Sequence, residues 1–302
     1  MRLLICASIL LAGCAEADKA PQQQSVIELA GYIESKSLRE ASGLTRSNIR
    51  DDLIWAINDD GPPDLYALGL AGEKRGKVRI EKAKNRDWED LASFVLDGTA
   101  YLLVADIGDN EAGRKDVTLY IVEEPDPDDD DAKIAWEIEF TYPEGPRDAE
   151  ALAVDAAAEQ ILVLSKRDIP ARLYSLPLRT DGDDRVIADF LGMLHELPQP
   201  TRRDVNNART LNDWHWQPTG MDIAPAGDGA LILTYRGIYY FGRQDEEDWM
   251  EALSRSPLGA SLGRYRNAES IAFGTDGSNA FVTAEKKHAP LLRIDLREAT
   301  DQ

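Results

Sequence analysis

Paired acidic and amide side chains recur along the chain at the head of short apolar segments. Asp148 and Glu150 stand in RDAEALAVD (147–155), and Asp87 and Glu89 in RDWEDLASF (86–94). Asn267 and Glu269 stand in RNAESIAFG (266–274), with a looser copy, Glu40 and Ser42, in REASGLTRS (39–47). Side chains two apart on a strand share a face, so each pair projects the same way. Carboxylate and amide oxygens gathered in this manner suit a hard cation such as calcium, which takes roughly six to eight oxygen ligands. Carboxylates that crowd together repel, and they require a cation, a proton or a base among them.

The elements that must position these acids repeat as well. PTGMDIAPA (218–226) aligns as a fifth copy and sets Thr219 and Met221 opposite the other pairs. Each copy is followed by a turn and a second apolar run, such as DLIWAIND or QILVLSKRD, then by a third, such as PDLYALGL or ARLYSLPL. A fourth, weaker run follows in most units: KVRIEKA, AKIAWEIEFTY and RVIADFLGML. Short apolar runs punctuated by Gly, Pro, Asp and Asn are strand signals. Equivalent positions recur at intervals of roughly 47 to 71 residues, near the repeat length of propellers with insertions. The expectation is an all-β chain forming a β-propeller of five four-stranded blades, or six if one unit has diverged past recognition. The last unit runs out before a fourth strand, and VIELAGYI (26–33) is placed to supply it and close the ring. DPDDDD (126–131) reads as a solvated loop within a unit, since it lacks the Gly and the closing Glu of a calcium-binding EF loop.

In such a ring the acid pairs begin the innermost strands and line the mouth of a central tunnel. The ends of the second strands reach the same rim. The first two units bring Asn58, Asp59, Asp60, Asp106, Asp109 and Asn110; the later ones bring Lys166, Arg167, Arg236, Lys286, Lys287 and His288. Asp59, Asp87, Asp106, Asp109, Asn110 and Asp148 are the expected metal ligands, with calcium the expected ion. Glu89, Glu150 and Glu269 are the expected catalytic carboxylates, acting as bases or further ligands. Lys166, Arg236 and Lys286 are placed to hold an anionic substrate group while the metal polarises it. The competing expectation is structural: Arg39, Arg86, Arg147 and Arg266 directly precede the acids and could pair with them between blades, or a bound ion could simply plug the axis.

Composition sets the limits. The 302 residues carry 43% hydrophobic and 29% charged side chains, ordinary for a globular protein, with a formal net charge of −21. That charge argues against nucleic acid and against anionic lipid as surface partners. Arg2, an apolar run from Leu3 to Leu11, and then Leu11-Ala12-Gly13-Cys14 resemble the signal and lipobox of bacterial lipoproteins. The expected organisation is a signal peptide over 1–13, a lipidated Cys14 with a polar tether to residue 24, and one domain over 25–302. Lipid on Cys14 would anchor the protein outside the cytoplasm, and Ala15 after the cysteine resembles the class sorted to the outer membrane. With Cys6 in the discarded segment and Cys14 lipidated, the domain has no thiol for a disulfide, a nucleophile or zinc.

Three motifs do not fit their usual contexts. GASLG (259–263) matches the nucleophile-elbow pattern but lacks the flanking strand and helix. His195, His215 and His288 have no zinc spacing. His215 lies between Trp214 and Trp216 and reads as an aromatic plug in a long connection, or as a ligand-binding loop over the tunnel mouth.

The order SGL…W…NDDG…LY, DWEDLA…DIGDN…LYIVEEP, RDAEAL…K, TGMDI…LTYRG and AESIAF…E resembles a bacterial propeller family described as phytase-like or esterase-like, from about Ser42 to Glu285. The resemblance implies a propeller fold. It also implies a distant architectural kinship with catalytic phytases and lactonases, which use calcium held by Asp, Glu and Asn near the tunnel. Two activities are therefore expected as alternatives: calcium-dependent hydrolysis of phosphoester, ester or lactone bonds, or a non-catalytic scaffold that docks a small anionic ligand or a protein on the same face.

Overall fold

The computed structural model describes residues 27–180, 185–202, 206, 216–265 and 267–297. The lipobox with Cys14, the tether, and the His215 loop with Trp214 lie outside the described residues. The described residues are almost entirely β-strand and connection, with a four-residue helix, α1 (Trp249–Ala252), after the fourth repeat's third strand. Among the described residues no helix is long and apolar enough to cross a membrane.

An initial strand, β1 (Ile27–Tyr32), precedes the repeats. The first antiparallel group runs β2 (Ala41–Arg46), β3 (Leu53–Asn58), β4 (Asp64–Gly69) and β5 (Lys74–Glu81). The second runs β6 (Trp88–Leu96), β7 (Thr99–Asp106), β8 (Val117–Glu123) and β9 (Asp131–Thr141). In the third, β10 (Ala149–Asp155), β11 (Gln160–Ser165) and β12 (Arg172–Pro177) are followed by β13 (Val186–Ile187) and β14 (Asp189–Met193). The fourth is β15 (Pro218–Ile223), β16 (Gly229–Thr234), β17 (Gly237–Gly242) and β18 (Leu258–Ser261). The last comprises β19 (Ala268–Phe273), β20 (Asn279–Ala284) and β21 (Pro290–Asp295), and β1 takes its fourth place, pairing antiparallel to β21 from Ile27↔Ile294 to Tyr32↔Pro290.

Burial explains the two kinds of sequence pattern. β3 and β4 are buried along their whole length, because neighbouring groups cover both of their faces. Outer strands alternate instead: in β5 only Val78 and Ile80 are buried, and β9 follows the same period of two. The two-residue connection between β6 and β7 uses Asp97 and Gly98 at φ 51° and 80°, the left-handed pair of a type I′ hairpin.

The groups meet in sequence. The first strands pack side by side in a closed cycle, β2 on β6, β6 on β10, β10 on β15, β15 on β19, and β19 back on β2. Each neighbouring pair of groups shares a hydrophobic cluster. Trp55 and Leu65 meet Trp88 and Leu102 between the first two groups, and Ala272, Phe281 and Leu291 meet Ile54 and Tyr66 between the last and the first. The first two groups are also joined at their outer edges by a short parallel pairing of β5 with β9, Arg79↔Asp131 to Glu81↔Lys133. The acidic run before β9 seats there, with the Asp130 carbonyl accepting from Arg79 N at 3.0 Å.

One expected element divides. The run 185–194 yields two strands: β13 pairs parallel with β9 of the preceding group, and β14 alone completes its own. The chain bends between them at Ala188, whose N–H donates to Thr141 O at 2.9 Å.

Two aspartates lace the first strands together. Asp90 of β6 is fully buried; its Oδ2 accepts from Leu152 N of β10 at 2.8 Å and Met221 N of β15 at 3.2 Å, while Oδ1 accepts from Leu91 N at 2.9 Å. Asp222 of β15 accepts from Phe273 N of β19 at 2.8 Å and from Arg46 of β2 at 3.4 Å. Every first strand is therefore reached by one of two carboxylates. Replacing Asp90 with Ala leaves three N–H groups without their acceptor, at about 1–3 kcal/mol each. Urea unfolding of Asp90→Ala should show a loss of at least ~3 kcal/mol, and Asp90→Asn, which keeps one oxygen, a smaller one. An unchanged midpoint in Asp90→Ala would remove the aspartate from this role.

Candidate functional site

The recurring acids sit on a recurring defect. In all five first strands the register slips by one residue at the same place: Ala41/Gly43, Trp88/Asp90, Ala149/Ala151, Pro218/Gly220 and Ala268/Ser270. The extra residues are Ser42, Glu89, Glu150, Thr219 and Glu269. A bulge leaves its extra residue outside the ladder and re-aims its side chain, a common device beside functional sites. The fourth copy is thereby realigned: Thr219 is the equivalent of Glu89, and Met221, two residues on, packs in the core at 1% exposure.

The hydroxyls at these positions act as stitches. Ser42 Oγ donates to Trp88 O of the next first strand at 2.6 Å, and Thr219 Oγ1 donates to Ala268 O at 2.9 Å. A serine or threonine is thus sufficient to tie one first strand to its neighbour. The glutamates at the other three bulges are more than the stitching needs.

Glu89 meets two aspartates. Ligand oxygens of Asp59, Asp87 and Glu89 all lie within 4.8 Å of one another. Asp59 follows β3 and is fixed by its own backbone, with N–H to Glu40 O at 2.9 Å and O from Trp88 N at 3.0 Å. Asp87 precedes β6, its carbonyl accepting from Gly108 N at 3.2 Å. Glu89 is 8% exposed and accepts no hydrogen bond from a described residue. The glycine of DIGDN is required here: a Cβ on Gly108 would stand 2.5 Å from Asp87 Oδ2 and nearer still to Glu89 Oε1.

The electrostatics follow from crowding under burial. Burial, then the neighbouring Asp87 carboxyl, raises Asp59 to about 7. Asp87 is raised by burial while its contact with Asp59 pulls the other way, so the two share a proton. Glu89 lies well above the usual range through burial and the charge of Asp87. Burial and a hydrogen bond to Glu285 raise Glu269 to about 9. Glu40 is raised on the same rim by burial and by contact with Asp60.

Other expected site residues are engaged with protein partners. Lys166 pairs with Glu150, both nearly buried, and its charge opposes the rise that burial imposes on Glu89 and Glu269. Asp148 takes Arg167 Nε at 2.6 Å and Asp109 N at 2.9 Å, and Asn110 accepts from Arg167. Asp106 pairs with Arg114 at 2.7 Å and accepts from Arg86 N at 3.2 Å. Asp109 accepts from Gly113 N and Arg114 N. Of the six expected metal ligands, Asp59 and Asp87 come together, and Glu89 joins them. Arg236 is half-buried after β16, and Lys286 is exposed after β20. The flanking arginines turn elsewhere: Arg147 pairs with Asp168 at 2.7 Å and Arg39 donates to Lys36 O, while Arg266 lies outside the described residues.

Two participants were not singled out from the sequence. Tyr235, at the end of β16, has the Lys166 ammonium 5.4 Å from its ring centroid and feels Glu269, Glu89 and Glu285, which with burial keep its phenol protonated. Glu285 is the partner of Glu269. Both stand at second-strand ends, where residues of the rim were expected. GASLG falls on the outer strand β18, remote from any elbow. His195 is exposed, and His288 stacks on Tyr32 at 4.9 Å.

Because Asp59 and Glu269 bind protons in the fold that the unfolded chain releases at about 4, their stabilising effect is complete at acid pH and is lost as pH rises through 7 and 9. Thermal unfolding in chelator should show Tm falling from pH 5 to 9.5, with the upper part of the fall flattened in Glu269→Gln. A Tm that climbs over this range would contradict the carboxyl pairing. No family model matches the chain, and no curated protein matches it.

Proposed function

We propose that the five strand groups are the blades of a single β-propeller latched by β1, and that one mouth of its axis holds calcium for hydrolysis of a phosphoester, ester or lactone. The closed cycle of first strands and the hydrophobic clusters between neighbouring groups support the blade reading. The observation that carries the site is Glu89: a buried carboxylate with no hydrogen-bond donor among the described residues, on a bulge where a hydroxyl would suffice, facing Asp59 and Asp87.

The three residues fit a divalent cation. Oxygens within 4.8 Å of one another are spaced for a single calcium with ligand distances of roughly 2.3–2.6 Å, and none of the three carboxylates, two half-buried and one buried, is ion-paired with a base among the described residues. Asp59, Asp87 and Glu89 would hold the ion, which when bound supplies a Lewis acid for a phosphoryl or acyl oxygen. The neutral Tyr235 phenol can donate a hydrogen bond to a substrate oxygen, and the Glu269–Glu285 pair keeps a proton beside it. Arg236 and Lys286, at second-strand ends of the last two groups, bring positive charge for an anionic substituent. The phytase-like resemblance accords with this chemistry. The resemblance of Leu11–Cys14 to a lipobox supports a domain held outside the cytoplasm by lipid on Cys14, and Ala15 after it supports sorting to the outer membrane.

Calcium should raise Tm, by the equivalent of about 2.7 kcal/mol at a hundredfold excess over Kd. Asp59→Asn and Glu89→Gln should abolish the rise. Phosphatase, esterase and lactonase substrates assayed with and without chelator should show turnover that falls by about 100-fold or more in Glu89→Gln. Stabilisation without turnover would make the same mouth a docking surface instead, and no response to calcium would reject the site. Cys14→Ser should move the protein from the membrane fraction to the soluble one, as followed by fractionation of expressing cells.

A further inference from the structure

We propose that Lys166 stands in the place of a second divalent cation, so that the mouth takes one metal ion and no more. The inference rests on the cation reading above and concerns how many ions that site admits. Three equivalent bulges present glutamates to the axis, yet only Glu89 faces two aspartates; it is 8% exposed and has no donor among the described residues. Glu150, 6% exposed, is taken by the ammonium of Lys166, itself 7% exposed. That ammonium is held over the Tyr235 ring at 5.4 Å and lies within electrostatic reach of both Glu89 and Glu269.

Remove the lysine and the mouth gains a second set of oxygens. Glu150 loses its partner, and Glu269 and Glu285 have no base paired with them among the described residues. A lysine is a compact point charge on a stem. Tethered in the fold, it meets Glu150 at a high effective concentration and leaves nothing for a dissolved ion to displace cheaply. Its charge also repels a second cation across the mouth. The chemistry that follows is that of a single ion facing a fixed ammonium, rather than a pair of ions that would stabilise attacking and leaving oxygens together.

Calorimetric titration of the whole chain with calcium tests this directly. The wild type should bind one ion, Lys166→Met two, and the charge-preserving Lys166→Arg one. If Lys166→Met does not fold, the double change Glu150→Gln/Lys166→Met removes the pair without leaving a bare carboxylate. It should then bind one ion, whereas Lys166→Gln, folded in millimolar calcium and then dialysed, should bind two. Two ions in the wild type, or one in the folded single variants lacking the charge, overturn the inference and leave the Asp59–Asp87–Glu89 site standing. No ion in the wild type overturns both.

Discussion

The structure depends on carboxylates buried among its five first strands. Asp90 and Asp222 contribute acceptors to backbone N–H groups on neighbouring first strands, which burial would otherwise leave without partners. Burial drives the Asp90 carboxyl strongly upward, and three backbone donors oppose it. This is the usual condition for a buried polar network: complete satisfaction, or heavy cost. Small residues make the approach feasible. A Cβ on Gly43 of β2 would fall 2.6 Å from Leu91 N of β6, so the backbones there are in contact.

On this frame the bulges separate two tasks that share one set of positions. Ser42 and Thr219 hold strand to strand, while Glu89, Glu150 and Glu269 carry charge into the same space. Position along the repeat selects the fate of each glutamate. Glu89 meets aspartates from its own and the preceding group, Glu150 meets a lysine from its own hairpin, and Glu269 meets another glutamate. Asp106, Asp109 and Asp148 are instead fastened by arginines and backbone donors.

Much of this was legible in the sequence, because the repeat writes the same pattern five times. Apolar runs located nearly every strand, and the acids marked the starts of the first strands. The equivalence of Glu89, Glu150 and Glu269, each on the bulge of its own first strand, followed from repeat symmetry. What was not legible traces to the bulge. An alternation of two cannot reveal an inserted residue, so Met221 was aligned where Thr219 belongs. Asp90 goes unmarked in DWEDLA because nothing local says that its N–H donors lie on strands some 60 and 130 positions onward. The ligand set was blurred for a similar reason: whether an aspartate is free or engaged depends on an arginine elsewhere, as with Asp106 and Arg114. The division of 185–194 between two groups depended on an open edge at β9.

The pairing of β1 with β21 bears on how the molecule comes into being. The first strand made must wait for the last, and closing so long a segment imposes an entropic toll before any contact rewards it. Until Ile27 finds Ile294, the apolar seam shared by the terminal groups stays wet and the flank of β21 is open to any passing strand. Assembly of the circle is therefore a late, all-or-nothing event, and the nascent chain is at its most vulnerable to mispairing just before completion.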